Sequence, residues 1–266
     1  MDFLDEILGR KRRRVEAAKD FVSFEQMFAK AAKTRVSATP HALRSALVDG
    51  EGINVIGEFK RRSPSKGIIR AGADPVRIAQ SYKAGGAKAI SVLTEEDYFD
   101  GSLDDLLTVR KAVDLPVLRK DFIIDEYQLY EAAAVEADAV LLIVGALDDA
   151  SLLQFRQTAE DELGMDALVE VHNKTEMQRA TACGATLVGV NNRDLRTFDV
   201  SLETSLELSA IAHPGAVLVS ESGLHHAAEL QQLHDAGYRG FLIGELLMRA
   251  ERPDEALRSL IGQSKQ

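Results

Sequence analysis

From Ile53 onward the chain alternates short apolar runs with amphipathic segments, and the alternation repeats eight times without a break. The apolar runs are Ile53 to Phe59, Ala89 to Leu93, Pro116 to Leu118, Ala139 to Val144, Ala167 to Val171, Leu187 to Val190, Val217 to Val219 and Phe241 to Ile243. Runs this short and this apolar read as strands buried on both faces, the condition of a parallel sheet. Between them lie helical segments with their own start and stop signals. Asp74-Pro75 opens one that closes at Gly85, and Ser102 to Ala112, Asp125 to Ala137 and Asp149 to Leu163 follow. Asn173 to Glu176 opens a helix to Cys183, and Ser201 to Ala212 and His225 to Ala236 complete the set. Eight β-α units with no linker predict a closed (β/α)8 barrel, an α/β fold of the TIM type. An open doubly wound sheet is the alternative topology that such an alternation permits.

With 266 residues, the chain has the length of one such barrel, so a single domain over residues 1–266 is expected. The first forty-odd residues stand outside the alternation and read as a helical extension, residues 1–50. Phe3, Leu4, Ile7 and Leu8 form one apolar stripe, Ser23 to Gln26 is a capping box, and Pro40 opens a third segment through Val48. The basic run Arg10 to Arg14 has Asp5, Glu6 and Glu16 on nearby turns and is read as a solvated helix face.

The formal charge of −10 argues against general nucleic-acid binding, so an anionic ligand needs a local cluster of cations. The one cysteine, Cys183, excludes a disulfide within the chain and a Cys-rich metal site, and reads as a buried packing residue. With neither a basic-then-apolar leader nor a long apolar run, the chain reads as cytoplasmic and not membrane-bound.

In parallel α/β folds, ligands bind at the carboxyl ends of the strands. Leu115 to Leu118 leads into Arg119-Lys120-Asp121, a charged triplet that a strand interior would not hold cheaply, so Lys120 is expected at a strand mouth. Other strands end in the same way. The first delivers Glu58 and Lys60, two positions apart and on one face, and the fifth Glu170. The sixth gives Asn191 and Arg193, the seventh Glu221-Ser222-Gly223 and the eighth Gly244-Glu245. Any one of these is ordinarily a structural ion pair or a tight turn. Six strand ends sending charges to one mouth are hard to explain by stability, because burying several charges costs more than it returns. Ser222-Gly223 and Gly244-Glu245 also sit after the seventh and eighth strands, where barrels bind phosphate through backbone N–H groups.

Six ordered segments carry a family resemblance: Glu58 to Gly67, Ser91 to Glu95, Leu118 to Phe122, Glu170 to His172, Asn191 to Leu195 and Ser220 to Gly223. Together they resemble the signature segments of the indole-3-glycerol-phosphate synthase family, over nearly the whole chain and including the helical extension. The resemblance implies a carboxy-lyase of tryptophan biosynthesis that uses no metal or organic cofactor. Its substrate would be 1-(2-carboxyphenylamino)-1-deoxyribulose 5-phosphate, closed to indole-3-glycerol phosphate with loss of carbon dioxide and water.

By the same resemblance Lys120 is the acid at the substrate carbonyl. Glu170, Lys60 and Glu58 supply the acid and base of dehydration, with their division open, and Lys60 is alternatively the holder of the substrate carboxylate. Asn191 and Glu221 contact the reacting sugar, and Arg193 supports the site electrostatically. Ser63, Ser222, Gly223, Gly244 and Glu245 belong to the phosphate pocket, and Phe99 and Phe122 pack the anthranilate ring, unless they are ordinary loop-packing aromatics. The family uses the N-terminal extension as a lid on the barrel mouth. Many relatives carry Ser or Thr where this chain has Glu245, so its carboxylate is expected to point away from the phosphate. His172 is read as a structural hydrogen-bonding histidine.

Two other functions fit the same strand ends: an aldolase with Lys120 or Lys60 as Schiff-base nucleophile, and a silent sugar-phosphate binder. Carboxylates in the layer of Lys120 favour its charged form and argue against the nucleophile. The chain shows no second barrel, so an isomerase of the pathway is expected on a separate chain.

Overall fold

The computed structural model describes residues 3–262. Three helices come first: α1 (Phe3–Phe21), α2 (Phe24–Arg35) and α3 (Ala42–Val48). The strand β1 (Val55–Phe59) follows, and the loop after it carries a small antiparallel hairpin, β2 (Arg62–Ser63) with β3 (Gly67–Ile68). Helix and strand then alternate: α4 (Pro75–Gly85), β4 (Ala89–Leu93), α5 (Leu103–Ala112), β5 (Val117–Lys120), α6 (Tyr127–Ala134), β6 (Ala139–Ile143), α7 (Asp149–Gln157) and β7 (Asp166–Val171). The second half continues with α8 (Lys174–Ala182), β8 (Leu187–Asn191), α9 (Glu203–Ser209), β9 (Val217–Glu221), α10 (Ala227–Asp235) and β10 (Tyr238–Ile243), then α11 (Glu245–Arg249) and α12 (Pro253–Leu260). All strands but the hairpin pair in parallel, β1 through β4 to β10, and β10 closes on β1. Closure leaves the barrel without an open edge.

Helix starts follow their caps. Ser23 accepts from Gln26 N in a full capping box, Asp74 accepts from Val76 and Arg77 before Pro75, and Ser102, Asp148 and Asn173 cap α5, α7 and α8. The left-handed residue that ends α4 is Gly86, one past the expected Gly85. α7 stops at Gln157 and the last turn before Leu163 widens to π-type hydrogen bonding, where one continuous helix was expected.

Period-two alternation along each strand divides the apolar residues into two cores. Val55, Phe59, Val117, Val169 and Val190 face the shell of helices. Ile56, Leu118, Leu141, Leu168, Val219 and Leu242 fill the barrel interior. The interior column is extended at both ends by the N-terminal segment, with Ile7 and Leu8 of α1 and Leu43 and Leu47 of α3 joining the same cluster.

That segment does not act as one piece. α1 lies over the loops at the carboxyl ends of β4 and β5, where Lys11 meets Asp121 at 2.7 Å, Arg14 meets Asp97 at 2.7 Å and Lys19 meets Asp125 at 2.7 Å. α2 packs along the barrel side on α6, its Phe24 ring edge-on to Tyr130 at 5.2 Å. α3 sits at the opposite end, where the backbone N–H of Arg44 donates to Asp166 at the start of β7 and Leu47 lies against Gly240. Of residues 1–50, therefore, α1 covers the mouth and α3 closes the floor. The basic run also departs from expectation: Arg10, Arg12 and Arg13 are exposed, but Lys11 is buried between Asp121 and Glu96.

Candidate active site

Alternation that fills the interior with apolar side chains also decides what reaches the mouth. On β1 the inward row runs Ile56 then Glu58, on β5 Leu118 then Lys120, and on β7 Leu168 then Glu170. β8 contributes Leu187, Gly189 and Asn191, and β9 Val217, Val219 and Glu221. The last inward residue of each of these strands is polar, so a layer of charge lies directly on the apolar column. β5 runs through Lys120, two residues beyond its expected end. Arg119, buried within it, is tolerated because it points outward into its own network: Asp121 at 3.1 Å, Glu131 at 2.8 Å and the Gln128 carbonyl at 2.9 Å.

At the centre, Lys120 Nζ lies 3.1 Å from Glu170 Oε2 and 3.3 Å from Glu221 Oε2, both carboxylates being about 1% exposed. Burial by itself would drive the ammonium to lose its proton, but Glu170, Glu221 and Glu58 outweigh it and hold Lys120 above its ordinary value. The two carboxylates flank Lys120 almost symmetrically, yet they differ in charge. Burial raises both, and Glu170 is pulled back well below the carboxylate range by Lys120 and His172 together. Glu221 has Lys120 alone, against the ionised Glu170, and is pushed up to about 8. Lys60 pairs with Glu58 across the rim.

Glycines make the room for these acids. A Cβ at Gly189 would stand 2.2 Å from Glu221 Oε1, and one at Gly244 would stand 2.2 Å from Glu58 Oε1. Consecutive left-handed residues, Ser222 at φ 65° and Gly223 at φ 75°, turn the chain after β9. Asn191 accepts from the backbone N–H of Arg193 at 3.1 Å, and the Arg193 guanidinium donates to the Phe198 carbonyl at 3.0 Å. Phe99 and Phe122 face each other at 6.4 Å, tilted by 40°. Glu245 Oε1 accepts from Arg249 Nε at 3.1 Å, one turn along α11.

All fourteen residues singled out in the sequence line one cavity of about 480 Å³ at the mouth. Sequence reasoning missed several others in its wall. Phe3 of α1 stacks edge-on with Tyr98 and Phe198 at 5.1 and 5.4 Å and closes one side. Lys66, after the β2 strand, adds a cation to the rim. Leu141 and Ile143 form its apolar base and were legible from strand parity alone. Among the described residues, no cluster of His, Cys, Asp and Glu has the arrangement to hold a metal.

A closed parallel barrel that holds a lysine between buried carboxylates at the carboxyl ends of its strands has the architecture of a barrel enzyme, with groups suited to acid–base chemistry at its mouth. The chain belongs to the indole-3-glycerol phosphate synthase family, whose family model matches residues 4–260. It is a carboxy-lyase of tryptophan biosynthesis. An indole-3-glycerol phosphate synthase of Chloroherpeton thalassium is 49% identical over 255 residues, covering 95% of this chain and 96% of that one. Its counterpart from Desulfotalea psychrophila is 48% identical over 260 residues, covering 97% and 98%. Among solved structures, thiamine phosphate pyrophosphorylase from Pyrococcus furiosus superposes with a TM-score of 0.59 at 18% identity, covering 82% of this chain and 95% of that chain. KGPDC from Streptococcus mutans gives 0.60 at 15% identity, covering 80% and 97%. At such identities these two show the barrel fold alone.

Proposed function

We propose that the mouth cavity binds 1-(2-carboxyphenylamino)-1-deoxyribulose 5-phosphate and that Lys120, as a charged acid, drives closure of the indole ring. One observation carries this reading: the Lys120 ammonium is held charged between Glu170 and Glu221, at 3.1 and 3.3 Å. When the aromatic carbon attacks the ketone, negative charge develops on the carbonyl oxygen, and Lys120 donates its proton there. Carbon dioxide then leaves from the attacking aromatic carbon, which bears the carboxylate, and the electron pair of the broken bond returns to the ring. Loss of water restores aromaticity and needs a proton delivered to the hydroxyl and another removed. Glu170, kept ionised, suits the base. Lys60, paired with Glu58 at the rim, first holds the substrate carboxylate and is free to act as the second acid once that carboxylate has gone.

The remaining groups bind. Ser63, the Ser222-Gly223 turn and the Gly244-Glu245 start of α11 offer backbone and hydroxyl donors to the phosphate. Phe99 and Phe122 take the anthranilate ring, Asn191 and Glu221 the ribulose hydroxyls, and Arg193 supplies positive potential. α1 acts as the lid, with Phe3 in the cavity wall. No helix among the described residues is long and apolar enough to cross a membrane, and a biosynthetic role of this kind suits a protein of the cytoplasm.

An aldolase would need Lys120 as a free amine, which its carboxylate neighbours disfavour. The test is the fluorescence of the indole product on addition of the anthranilate-derived substrate, with borohydride present in a parallel reaction. Fluorescence without covalent modification of Lys120 is the expected result. A mass increase on Lys120 equal to a reduced adduct would replace the acid with a nucleophile, and binding with no turnover would leave a sugar-phosphate binder.

A further inference from the structure

Beyond the cavity wall, β7 continues past Glu170 to Val171 and hands the chain to α8 through His172 and Asn173. His172 Nε2 stands 3.2 Å from Glu170 Oε1, the oxygen that does not face Lys120; this is an ion-pair distance without the alignment of a hydrogen bond. Its Nδ1 lies 3.0 Å from Glu176 Oε2. Glu176 is itself fixed: its Oε2 accepts from the His172 backbone N–H at 2.8 Å and its Oε1 from Asn173 Nδ2 at 2.9 Å. The groups form a line in which acidic and basic side chains alternate, Glu176, His172, Glu170, Lys120 and Glu221. Glu221, at the far end, has no equivalent of His172, and its Oε1 has no hydrogen-bond partner within the protein.

We infer that His172, held by Glu176, is a positioning residue that decides which of the two carboxylates beside Lys120 is ionised, fixing Glu170 as the base and leaving the proton on Glu221. This rests on the function proposed above and deepens it. Geometry carries the argument: without His172 the two acids stand in nearly equivalent places around one ammonium, and two buried carboxylates sharing one cation share a proton between them. A second cation on one side breaks the tie. The charged groups facing His172 are Glu170 at the end of β7, Glu176 on α8 and Asp194 on the loop after β8, all three acidic. Burial opposes the imidazolium, but Glu170 and Glu176 prevail, and His172 is raised to about 10. Lys120, Glu221 and Glu58 complete the field around Glu170 and Lys120.

The test is the pH dependence of kcat at saturating substrate in His172→Gln and Glu176→Gln, with circular dichroism to confirm folding. Removing positive charge beside Glu170 makes its proton harder to lose, so the acid limb of the profile should move up by at least one pH unit in His172→Gln. Glu176→Gln weakens the imidazolium and should move the limb in the same direction by less. If His172→Gln does not fold, Glu176→Gln decides alone. A limb that stays within about 0.3 unit of the wild-type position in a folded variant, whatever the loss of rate, overturns the inference and makes His172 a structural residue. A wild-type protein that forms no indole product overturns the functional reading instead, so the two failures are distinguishable.

Discussion

Lys120 is pulled in opposite directions by burial and by its neighbours, and the neighbours prevail. Replacement by Ala removes the acid and leaves Glu170 and Glu221 facing one another with no cation between them. kcat should fall by roughly 10² to 10⁴, the range for loss of a general acid, with KM changing far less in steady-state measurements. Glu221 allows a stability test whose sign follows from linkage. Its carboxyl is raised to about 8 in the folded chain from an ordinary 4.5, so between those values the folded state keeps a proton that the unfolded state has lost. Stability from this group is therefore present below about 4.5 and declines as pH rises toward 8. Glu221→Gln cannot titrate, and its urea midpoint relative to wild type should rise from pH 5 to pH 8. Glu245 bears on the phosphate end. Its carboxylate is already engaged by Arg249 one turn away, so Glu245→Ser should change KM by less than about threefold. A tenfold tightening would mean that the side chain faces the dianion.

At the scale of single elements, the strands explain both what was legible and what was not. Because each strand alternates strictly, naming Glu58, Glu170, Asn191 and Glu221 as strand-end residues already placed them on one inward layer. The strand limits were harder: β5 was expected to stop at Leu118, since charge inside a strand is costly, yet it continues through Arg119 and Lys120. The missing information was tertiary, namely that Asp121, Glu131 and the Gln128 carbonyl wait outside for Arg119. His172 reads in sequence as a hydrogen-bonding histidine, and its contact with Glu176 agrees; its partners were not legible, since Glu170 and Glu176 lie on either side of it only once β7 and α8 are formed. Gly189 shows the same interplay from the opposite direction. In sequence it is an unremarked residue of an apolar run, and in the barrel it is the space occupied by Glu221. A methyl group there would stand 2.2 Å from Glu221 Oε1, and that carboxylate has little room to retreat, being about 1% exposed. Gly189→Ala should lower kcat at least tenfold while costing about 1–3 kcal/mol of stability, the usual range for overpacking. Comparing kcat with the melting temperature checks it, and unchanged turnover would show that Glu221 can move without consequence.

On the scale of the whole molecule, a chain with a formal charge of −10 gathers Lys60, Lys66, Lys120 and Arg193 at one end of a barrel, the local cluster of cations that the proposed anionic substrate needs. The barrel was readable from eight repeats because each unit signals its own strand and helix. The path of the extension was not, because apolar stripes show that a helix must cover something without saying what. The structure answers by splitting the segment between the two ends of the interior column, and the consequence is testable by truncation. Removing residues 1–22 takes away α1, including Phe3 in the cavity wall and the Lys11 pairing with Asp121. The barrel should still fold, and KM should rise more than kcat falls. Removing residues 1–48 also takes Leu43 and Leu47, both fully buried at the floor. A buried Leu→Ala change costs roughly 2–5 kcal/mol, and whole domains are stable by only about 5–15 kcal/mol, so losing both leucines together should leave no folded barrel. Leu47→Ala in the full chain separates the two roles: it should lower stability by about 2–5 kcal/mol in denaturant titrations and leave KM unchanged, because the floor lies at the end of the barrel away from the substrate. A raised KM in Leu47→Ala, or a stable barrel without residues 1–48, would show that the extension is a lid along its whole length.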